Sequence, residues 1–245
     1  MKKIIRNILN GFGFDVIRLK TKLKIDNVDL SSHLSNVFAA KEIDCVIDVG
    51  ANSGQYGAFL RKMGFKGYII SFEPVKAVFD MLVSNAKSDN KWICYNLALG
   101  DQTEEKTINV YKSSVWSSFL DANAYSKNIW KSLESVIPET VKVAKLDDIF
   151  PELVRRTGCK RYFLKMDTQG YDKNVFSGSL DSLANIEALQ SELALIQVYD
   201  GMPSAYDVLG DFHSRNFYIS GMYPINRDES LAVIEYDCVL VKKPI

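Results

Sequence analysis

The sequence predicts an α/β fold built on a doubly wound, mostly parallel sheet. Short runs of β-branched and aromatic residues alternate with helical stretches along most of the 245 residues, which is typical of βαβ units. A hydrophobic content of 47% allows one substantial core, so we expect one domain. The first apolar run, 46–49, ends abruptly in a glycine-rich turn, as a strand does before a crossover helix.

The predicted strands are short apolar segments near 45–49, 68–72, 92–97, 162–167, 187–192, 216–220 and 236–242. Helices are predicted in most of the intervals, at 55–63, 75–87, 172–184 and 204–214. Residues 101–145 break this alternation, because two extended-looking runs, INVYKSSVWSSFL and VKVAKLDDI, flank a polar stretch. We interpret 101–145 as an insertion between sheet units, where doubly wound folds often acquire substrate contacts.

The N-terminal segment, residues 1–30, is predicted to be an amphipathic helix followed by a polar linker around 20–32, with the main domain at 31–245. Its apolar residues fall on one helical face: Ile4, Ile5, Ile8, Leu9 and Phe12. It is too polar to span a bilayer, and it lacks the cleavage site of a signal peptide. We expect the helix to pack on the domain or on a partner subunit, with weak contact to an anionic membrane surface as the alternative.

Charge and cysteine content narrow the classes of partner. Lys plus Arg equals Asp plus Glu at 30 each, so the formal net charge is zero and a nucleic-acid partner is not favoured. The four cysteines show no CxxC spacing, which suits a reducing cytoplasm. With two histidines in the chain, a metal cage built from histidine is excluded. The oligomeric state stays open, a homodimer included.

The glycine-rich turn VIDVGANSGQYG favours a nucleoside ligand over a phosphate ligand. It lacks the Lys and hydroxyl residue of a Walker loop, and its glycines, Gly50, Gly54 and Gly57, miss the spacing of the dinucleotide fingerprint. The spacing still brings backbone close to a ligand with an uncharged linker, such as a sulfonium-linked amino acid. Asp48 would be a costly buried carboxylate unless it orients this loop or reaches the amine of the ligand.

The next two strand ends are consistent with a nucleoside. Glu73 ends YIISFEP, where a carboxylate can accept hydrogen bonds from both ribose hydroxyls. In NLALGD, Ala98 and Leu99 are placed to wall an adenine, and Asp101 to accept from its exocyclic amine. An acid at a strand end is equally often a helix cap or a solvated residue, so the interpretation rests on the order and spacing of all three segments.

Seven segments in order resemble the FkbM family of S-adenosylmethionine-dependent methyltransferases: VIDVGANSGQYG, IISFEP, NLALGD, SSVWSSF, KLDDI, YFLKMDTQGYD and SELALIQVYDGMPS. The resemblance implies a Rossmann-like, class I methyltransferase sheet of seven strands. Its last strand, YDCVLVKK, is expected to run antiparallel, and the methyl group usually goes to a hydroxyl oxygen. The family's D-x-x-G-x-E segment is DTQGYD here, with Asp172 in place of glutamate, so the role of position 172 is open.

These segments define the candidate binding residues. For the cofactor, S-adenosylmethionine, they are Asp48, Gly50, Asn52, Gly54, Tyr56, Glu73, Ala98 and Asp101. For the acceptor they are Trp116, Ser117, Ser118, Gln169 and Tyr199. Trp116, together with Tyr125 and Trp130, either stacks on a sugar ring or anchors the insertion to the sheet.

Three residues are the catalytic candidates. Methyl transfer is an in-line displacement that depends mainly on alignment, but an alcohol also needs a base or a metal for its proton. We predict Asp167 as the base, with a helix cap as the alternative. Lys165 lies on the same strand face and needs an anionic partner, Asp48 or Glu192. Glu192 binds an acceptor hydroxyl or shares a divalent ion with Asp167, the metal being the less favoured possibility.

The sequence therefore predicts a cytoplasmic S-adenosylmethionine-dependent O-methyltransferase. Its expected acceptor is a hydroxyl of a sugar, a glycan or another small molecule, in polysaccharide or secondary-metabolite biosynthesis. Two alternatives are a non-catalytic module that binds S-adenosylmethionine and a nicotinamide-dependent sugar oxidoreductase. The glycine spacing disfavours the oxidoreductase, and the set of Asp48, Glu73 and Asp167 disfavours the inert module.

Overall fold

The computed structural model describes residues 29–133 and 135–243. The predicted N-terminal amphipathic helix, in residues 1–28, lies outside this part of the chain. Within the described ranges, no helix combines the length and the apolar character needed to cross a bilayer.

Ten strands follow one another along the described chain: β1 (Cys45–Val49), β2 (Tyr68–Phe72), β3 (Trp92–Tyr95), β4 (Ala98–Leu99), β5 (Glu104–Tyr111), β6 (Val136–Ala144), β7 (Tyr162–Met166), β8 (Ile186–Ala194), β9 (Phe217–Arg227) and β10 (Val233–Lys242). Seven of them form one sheet in the order β3-β2-β1-β7-β8-β10-β9. The first five of these lie parallel, and β10 runs antiparallel to both of its neighbours. The predicted doubly wound sheet with an antiparallel last strand is confirmed.

The α-helices of the described chain are α1 (Leu30–Ala40), α2 (Gln55–Lys62), α3 (Lys76–Ala86), α4 (Ala124–Ile129), α5 (Leu146–Thr157), α6 (Asp172–Ser177) and α7 (Ala205–Ser214). They cover both faces of the sheet, since one buried core joins it to α5, α6 and α7 and another joins it to α1 and α2. Both faces of the central strands are therefore dry, and β1 and β7 are buried along their whole lengths.

Two helical regions differ from the prediction by more than one residue. The linker predicted around 20–32 is helical from Leu30, because Asp29 caps α1 by accepting a hydrogen bond from the backbone N–H of Ser32. The helix predicted at 172–184 ends at Ser177. Gly178 follows it, and a Cβ there would lie 1.8 Å from the carbonyl oxygen of Gly100, so the chain passes too close to Gly100 for any larger residue.

The insertion builds a second, smaller sheet in the order β4-β6-β5. The strand predicted at 92–97 therefore stops at Tyr95, and Ala98–Leu99 pairs with β6 instead of continuing the large sheet. The run VKVAKLDDI is extended only as far as Ala144, because Leu146 already begins α5. The residues between β5 and β6 contact the segment that follows β8, through Ala122 and Trp116 on one side and Tyr199 on the other.

Helix α2 packs on Trp92 through a glycine, and this contact gives a stability prediction. A Cβ at Gly57 would lie 2.1 Å from the Trp92 ring, so Gly57→Ala should lower the free energy of unfolding by about 1–3 kcal/mol through overpacking. Gly210 in α7 is the matched control, because a Cβ there meets nothing within 4 Å. Gly210→Ala should raise stability by roughly 0.5–1 kcal/mol through helix propensity. Denaturant unfolding measures both, and equal effects would contradict the packing argument.

Candidate functional site

A cavity of about 580 Å³ lies at the carboxyl ends of β1, β2, β7 and β8. The insertion spans it through the turn Ser114–Trp116. At one end the side-chain amide of Asn52 donates to Ser114 Oγ over 3.0 Å, and at the other the Tyr199 hydroxyl donates to the Trp116 carbonyl over 3.0 Å. The carboxyl ends of parallel strands are where open α/β sheets bind ligands, and the volume suits a small-molecule ligand.

The loop after β1 passes close to the end of β7. Gly50 has φ +75°, and a Cβ on it would lie 2.0 Å from the carbonyl oxygen of Asp167, so this position requires glycine. The backbone N–H groups of Gly50 and Ala51 both donate to the carbonyl of Phe72 at the end of β2. The loop is thereby held between β2 and β7, at the edge of the cavity.

Glu73 holds the same loop from β2. Its Oε2 accepts from the backbone N–H of Asn52 and its Oε1 from that of Val75, each over 2.9 Å. Burial raises the pKa of Glu73 to about 7, against the lowering effect of these two hydrogen bonds. Each oxygen keeps a second lone pair, and Glu73 lines the cavity.

A buried ion-pair network lies at the centre of the sheet. Lys165 Nζ is 3.2 Å from Asp48 Oδ1 and 3.3 Å from Asp167 Oδ2, and it lies over the Tyr56 ring at 5.2 Å from the centroid. Asp48 is fully buried and also accepts a hydrogen bond from the Ser71 hydroxyl. The side chain of Asp167 is 39% exposed, so one end of the network opens to the cavity.

This network sets the protonation of its members. Burial acts against the ammonium of Lys165, but the carboxylates of Asp167 and Asp48 outweigh it and raise the pKa of Lys165. Burial also tends to raise the pKa of Asp167, yet the charge of Lys165 and the hydrogen bond from Gln169 hold that pKa below its usual range. Asp167 is therefore a carboxylate at neutral pH, facing the cavity.

Gln169 connects the second carboxylate to this network. Its side-chain Nε2 donates to Asp167 Oδ1 over 3.0 Å and to Glu192 Oε2 over 2.7 Å. Its φ of +53° is a left-handed conformation that costs a non-glycine residue roughly 1 kcal/mol. The Tyr199 hydroxyl shares its one proton between Gln169 Oε1 and the Trp116 carbonyl, and the Ser118 hydroxyl donates to the Gln169 carbonyl. These contacts hold the strained residue in place.

The two carboxyl groups bridged by Gln169 differ in proton affinity. Burial, followed by the charge of Asp167, raises the pKa of Glu192 well above its ordinary value. The amide of Gln169 donates to one oxygen of each group. In residues 29–133 and 135–243, no group of three or more His, Cys, Asp or Glu is placed to hold a metal ion. The pair thus combines an ionised acid with one that favours its proton.

Asp172, the residue that replaces the family's glutamate, joins β7 to β8. Its Oδ1 accepts from the backbone N–H and hydroxyl of Thr168, and its Oδ2 accepts from the Ser191 hydroxyl and the Glu192 N–H. It is 4% exposed, and burial raises its pKa. The open question about this position is answered structurally, because Asp172 holds the strand ends that carry Asp167 and Glu192.

Most of the predicted site residues line the cavity: Gly50, Asn52, Tyr56, Glu73, Ala98, Trp116, Ser117, Lys165, Asp167, Gln169 and Glu192. Trp116 packs on Trp130, with ring centroids 4.4 Å apart, and both pack against a buried cluster that includes Ala194 of β8 and Ile234 of β10, which anchors the insertion to the large sheet. Of the two rings, that of Trp116 belongs to the cavity lining. The Ser117 hydroxyl oxygen is buried, and no partner for it is found among the described residues.

The other five predicted residues lie outside this lining: Asp48, Gly54, Asp101, Ser118 and Tyr199. Asp48 lies behind Lys165, and Ser118 and Tyr199 hold Gln169. A Cβ on Gly54 would lie 3.0 Å from the Leu82 side chain, so packing against α3 explains this glycine. The Asp101 carboxylate accepts a hydrogen bond from the Asn174 amide over 3.1 Å.

Sequence reasoning missed several polar residues of the cavity, among them Gln190, Asn226, Glu235 and Asp237. Glu235 and Asp237 lie in IEYDCVLV, where acids interrupt an apolar strand, and this pattern is the signal that was available. They reach the cavity because β10 is antiparallel to β8, which places Asp237 opposite Glu192. The start of β10 therefore lies beside the end of β8.

Several solved structures are similar to this chain at low sequence identity. The METTL16 methyltransferase domain has a TM-score of 0.49 and 7% identity, with 98% of this chain and 79% of that chain covered. A Streptococcus pneumoniae protein described as a candidate tRNA (m1A22) methyltransferase, in complex with S-adenosyl-L-methionine, has a TM-score of 0.47 and 13% identity, with 89% and 75% covered. M. capricolum TrmK, in complex with S-adenosyl-homocysteine, has a TM-score of 0.41 and 9% identity, with 86% and 67% covered.

No curated protein sequence matches this chain significantly. Residues 48–217, by contrast, match the model of a protein family described as the methyltransferase FkbM domain. The matched range runs from Asp48 to the first residue of β9 and contains the loop after β1, the insertion and the strand ends that carry Asp167 and Glu192. The chain therefore belongs to the FkbM family of S-adenosylmethionine-dependent methyltransferases.

Proposed function

We propose that the protein transfers a methyl group from S-adenosylmethionine to a hydroxyl oxygen of a sugar, a glycan or another small molecule. The observation that carries the proposal is Asp167, an ionised carboxylate that Lys165 holds at the mouth of a buried network and that faces the cavity. An oxygen nucleophile needs a group that takes its proton, and Asp167 supplies one where an acceptor can reach it.

The cofactor half of the cavity lies at the ends of β1 and β2. Glu73 keeps free lone pairs for ribose hydroxyls, and the backbone at Asn52 lies beside it. Ala98, Leu99 and Ile108 supply apolar walls of the size that an adenine needs. The residues present therefore fit a nucleoside attached to an uncharged sulfonium linker, and this fit supports the assignment.

Methyl transfer to an alcohol requires only a weak base at the position of Asp167. S-adenosylmethionine, when bound, supplies an electrophilic methyl group on sulfur. An alcohol oxygen becomes strongly acidic as its new bond to carbon forms, so a carboxylate of lowered pKa is basic enough to accept the proton. Lys165 and Gln169 fix the direction of this carboxylate, and alignment is the larger part of the rate. The acceptor oxygen must therefore lie next to Asp167.

The charge around the cavity argues against a polyanionic acceptor such as RNA. Acidic residues outnumber basic residues in the lining of the cavity. Among the described residues that line it, Lys165 is the single basic one, and it is already paired with two acids. The formal net charge of zero offers no attraction either. The predicted cytoplasmic location stays a prediction, and the four free cysteines are consistent with it.

Glu73→Gln tests the ribose assignment. The substitution should weaken S-adenosylmethionine binding about 10- to 100-fold, because charge-assisted hydrogen bonds are lost. The pKa of about 7 adds a pH dependence: the wild-type affinity should fall as Glu73 takes up a proton between about pH 8 and about pH 6, since a neutral carboxyl is the weaker acceptor. The affinity of the variant should stay flat over that range. Calorimetry measures both.

An unchanged affinity in folded Glu73→Gln protein would remove Glu73 from the ribose site. The same calorimetry with NAD in place of S-adenosylmethionine distinguishes the methyltransferase from the nicotinamide-dependent alternative. Glu152→Gln is the matched control, because Glu152 is an exposed carboxylate on α5 and lies outside the cavity lining. Its cofactor affinity and pH dependence should equal those of the wild type.

Asp167→Asn tests the base. The amide keeps the shape of the side chain but accepts no proton, so turnover should fall by on the order of 10²–10⁴ while S-adenosylmethionine binding survives. EDTA should leave wild-type turnover intact if Asp167 acts as a base, because its carboxylate is then held by Lys165 and Gln169 and binds no metal. A rescue by Mg²⁺ after EDTA treatment would favour a metal mechanism instead. Near wild-type turnover in folded Asp167→Asn would leave Asp167 as a structural residue.

Trp116→Ala tests the acceptor side of the insertion. Trp116 lines the cavity and is held by Trp130 and by the Tyr199 hydroxyl, so its removal should raise the KM for the acceptor about tenfold. The affinity for S-adenosylmethionine should not change, because Trp116 makes no contact with Asn52 or Glu73. Steady-state kinetics with a working acceptor and calorimetry with the cofactor check both parts, and the opposite pattern would contradict the assignment.

A further inference from the structure

The part of the cavity farthest from Glu73 is lined by three acids from two adjacent strands. Glu192 belongs to β8, and Glu235 and Asp237 belong to β10. The antiparallel register pairs Asp237 with Glu192 and Glu235 with Ala194, so all three acids lie at the same edge of the sheet. The mechanism proposed above makes no use of Glu235 or Asp237.

Each of these acids has a neutral amide as its partner. Glu192 accepts a hydrogen bond from the Gln169 amide. Glu235 accepts one from the Asn226 amide over 2.7 Å, and Asp237 accepts one from the Gln190 amide over 2.8 Å. Each bond occupies one carboxyl oxygen. Within the described chain, the second oxygen of each acid accepts no hydrogen bond from protein.

No protein cation compensates this group of acids. Lys165 is the basic residue of the lining, and it is paired with Asp48 and Asp167. Glu235 is only 3% exposed, and burying a carboxylate without a counter-charge is costly. Burial, reinforced by the charge of Asp167, raises the pKa of Glu235, and burial likewise raises the pKa of Asp237. A positive charge entering the cavity would relieve this cost.

Two further observations indicate an organic ligand. Among the described residues, His, Cys, Asp and Glu form no group of three or more that could hold one metal ion, so these acids are too dispersed to chelate a metal. In addition, the buried Ser117 hydroxyl lines the same cavity and has no hydrogen-bond partner in the described protein. An extended ligand with several hydrogen-bonding groups would engage both the acids and this hydroxyl.

We propose that Glu192, Glu235 and Asp237 form an acceptor subsite that binds a polyhydroxylated acceptor carrying a protonated amine, as an amino sugar does. The ammonium group supplies the missing counter-charge and lowers the raised pKa values of these acids, so that they release their protons to solvent and bind it as carboxylates. Neighbouring hydroxyls donate to the free carboxyl oxygens. Acceptors with a phosphate or carboxylate in this position are repelled. The proposal rests on the proposed methyltransferase function and specifies the acceptor class of the same site.

Matched acceptors test the proposal in protein loaded with S-adenosylhomocysteine. The probes are methyl glycosides in gluco, galacto and manno configurations, each as the free amine, the N-acetyl derivative, the neutral hexoside and the uronide. The best amine should bind about tenfold or more tightly than its N-acetyl and neutral counterparts, and uronides should bind most weakly. Calorimetry gives the affinities, and labelled methyl transfer from S-adenosylmethionine should follow the same order.

The paired substitution Glu235→Gln with Asp237→Asn should abolish the preference for the amine and leave the affinity for S-adenosylhomocysteine unchanged. Glu152→Gln should keep the preference. Equal or tighter binding of the neutral hexosides, binding of no amine at all, or a preference that survives the paired substitution would each overturn the proposal. If the paired variant does not fold, the wild-type panel decides alone. Failure of the wild type to bind S-adenosylhomocysteine would overturn the proposed function itself.

Discussion

The buried charges of Asp48, Lys165 and Asp167 are the constraint on which the rest of the site depends. Asp48 and Lys165 are register partners on the adjacent parallel strands β1 and β7, so an ammonium in the dry centre of the sheet meets its counter-ion at once. Removing either partner would leave an uncompensated buried charge. The close approach of β1 and β7 also explains Gly50. The backbone after β1 passes so near the end of β7 that any side chain at position 50 would overlap the Asp167 carbonyl. The central pair, the turn and the cavity-facing carboxylate therefore form one arrangement.

The sequence was most informative about the fold where strands are buried and end sharply. β1 and β2 lie at the predicted positions, because each is a short, mostly apolar run with one polar residue and is followed closely by a glycine turn or by Pro74. β9 was predicted at 216–220 and extends to Arg227, across Gly221 and Pro224. β9 is an edge strand, where proline is tolerated because one side of the strand needs no partner. The length of β9 therefore depends on its position at the edge of the sheet, which a single sequence does not show.

The same reasoning explains which site residues were found. Glu73, Asp167 and Glu192 follow or end parallel strands, so the rule that ligands bind at carboxyl ends selected them. Glu235 and Asp237 lie near the start of β10, and only the antiparallel direction of that strand brings them to the same edge. Gly54 stays a prediction for the cofactor site, since it lies outside the cavity lining and its φ of +95° and its packing beside α3 already favour glycine there. Motif spacing thus locates the cavity but does not distinguish residues that touch a ligand from residues that support them.

Charge is distributed unevenly along the cavity, and this distribution connects catalysis with acceptor choice. At the centre, Lys165 neutralises its neighbours, so Asp167 keeps a low pKa and stays ionised. Toward β10 no protein cation of the described chain enters the lining, and the pKa of Glu192 is raised by burial and by Asp167. A second lysine there would neutralise the acids but would also compete for Asp167. Under the proposed function, the absence of such a cation leaves Asp167 available as a base and gives the counter-charge role to the acceptor, whose hydroxyl would then be held beside the carboxylate that takes its proton.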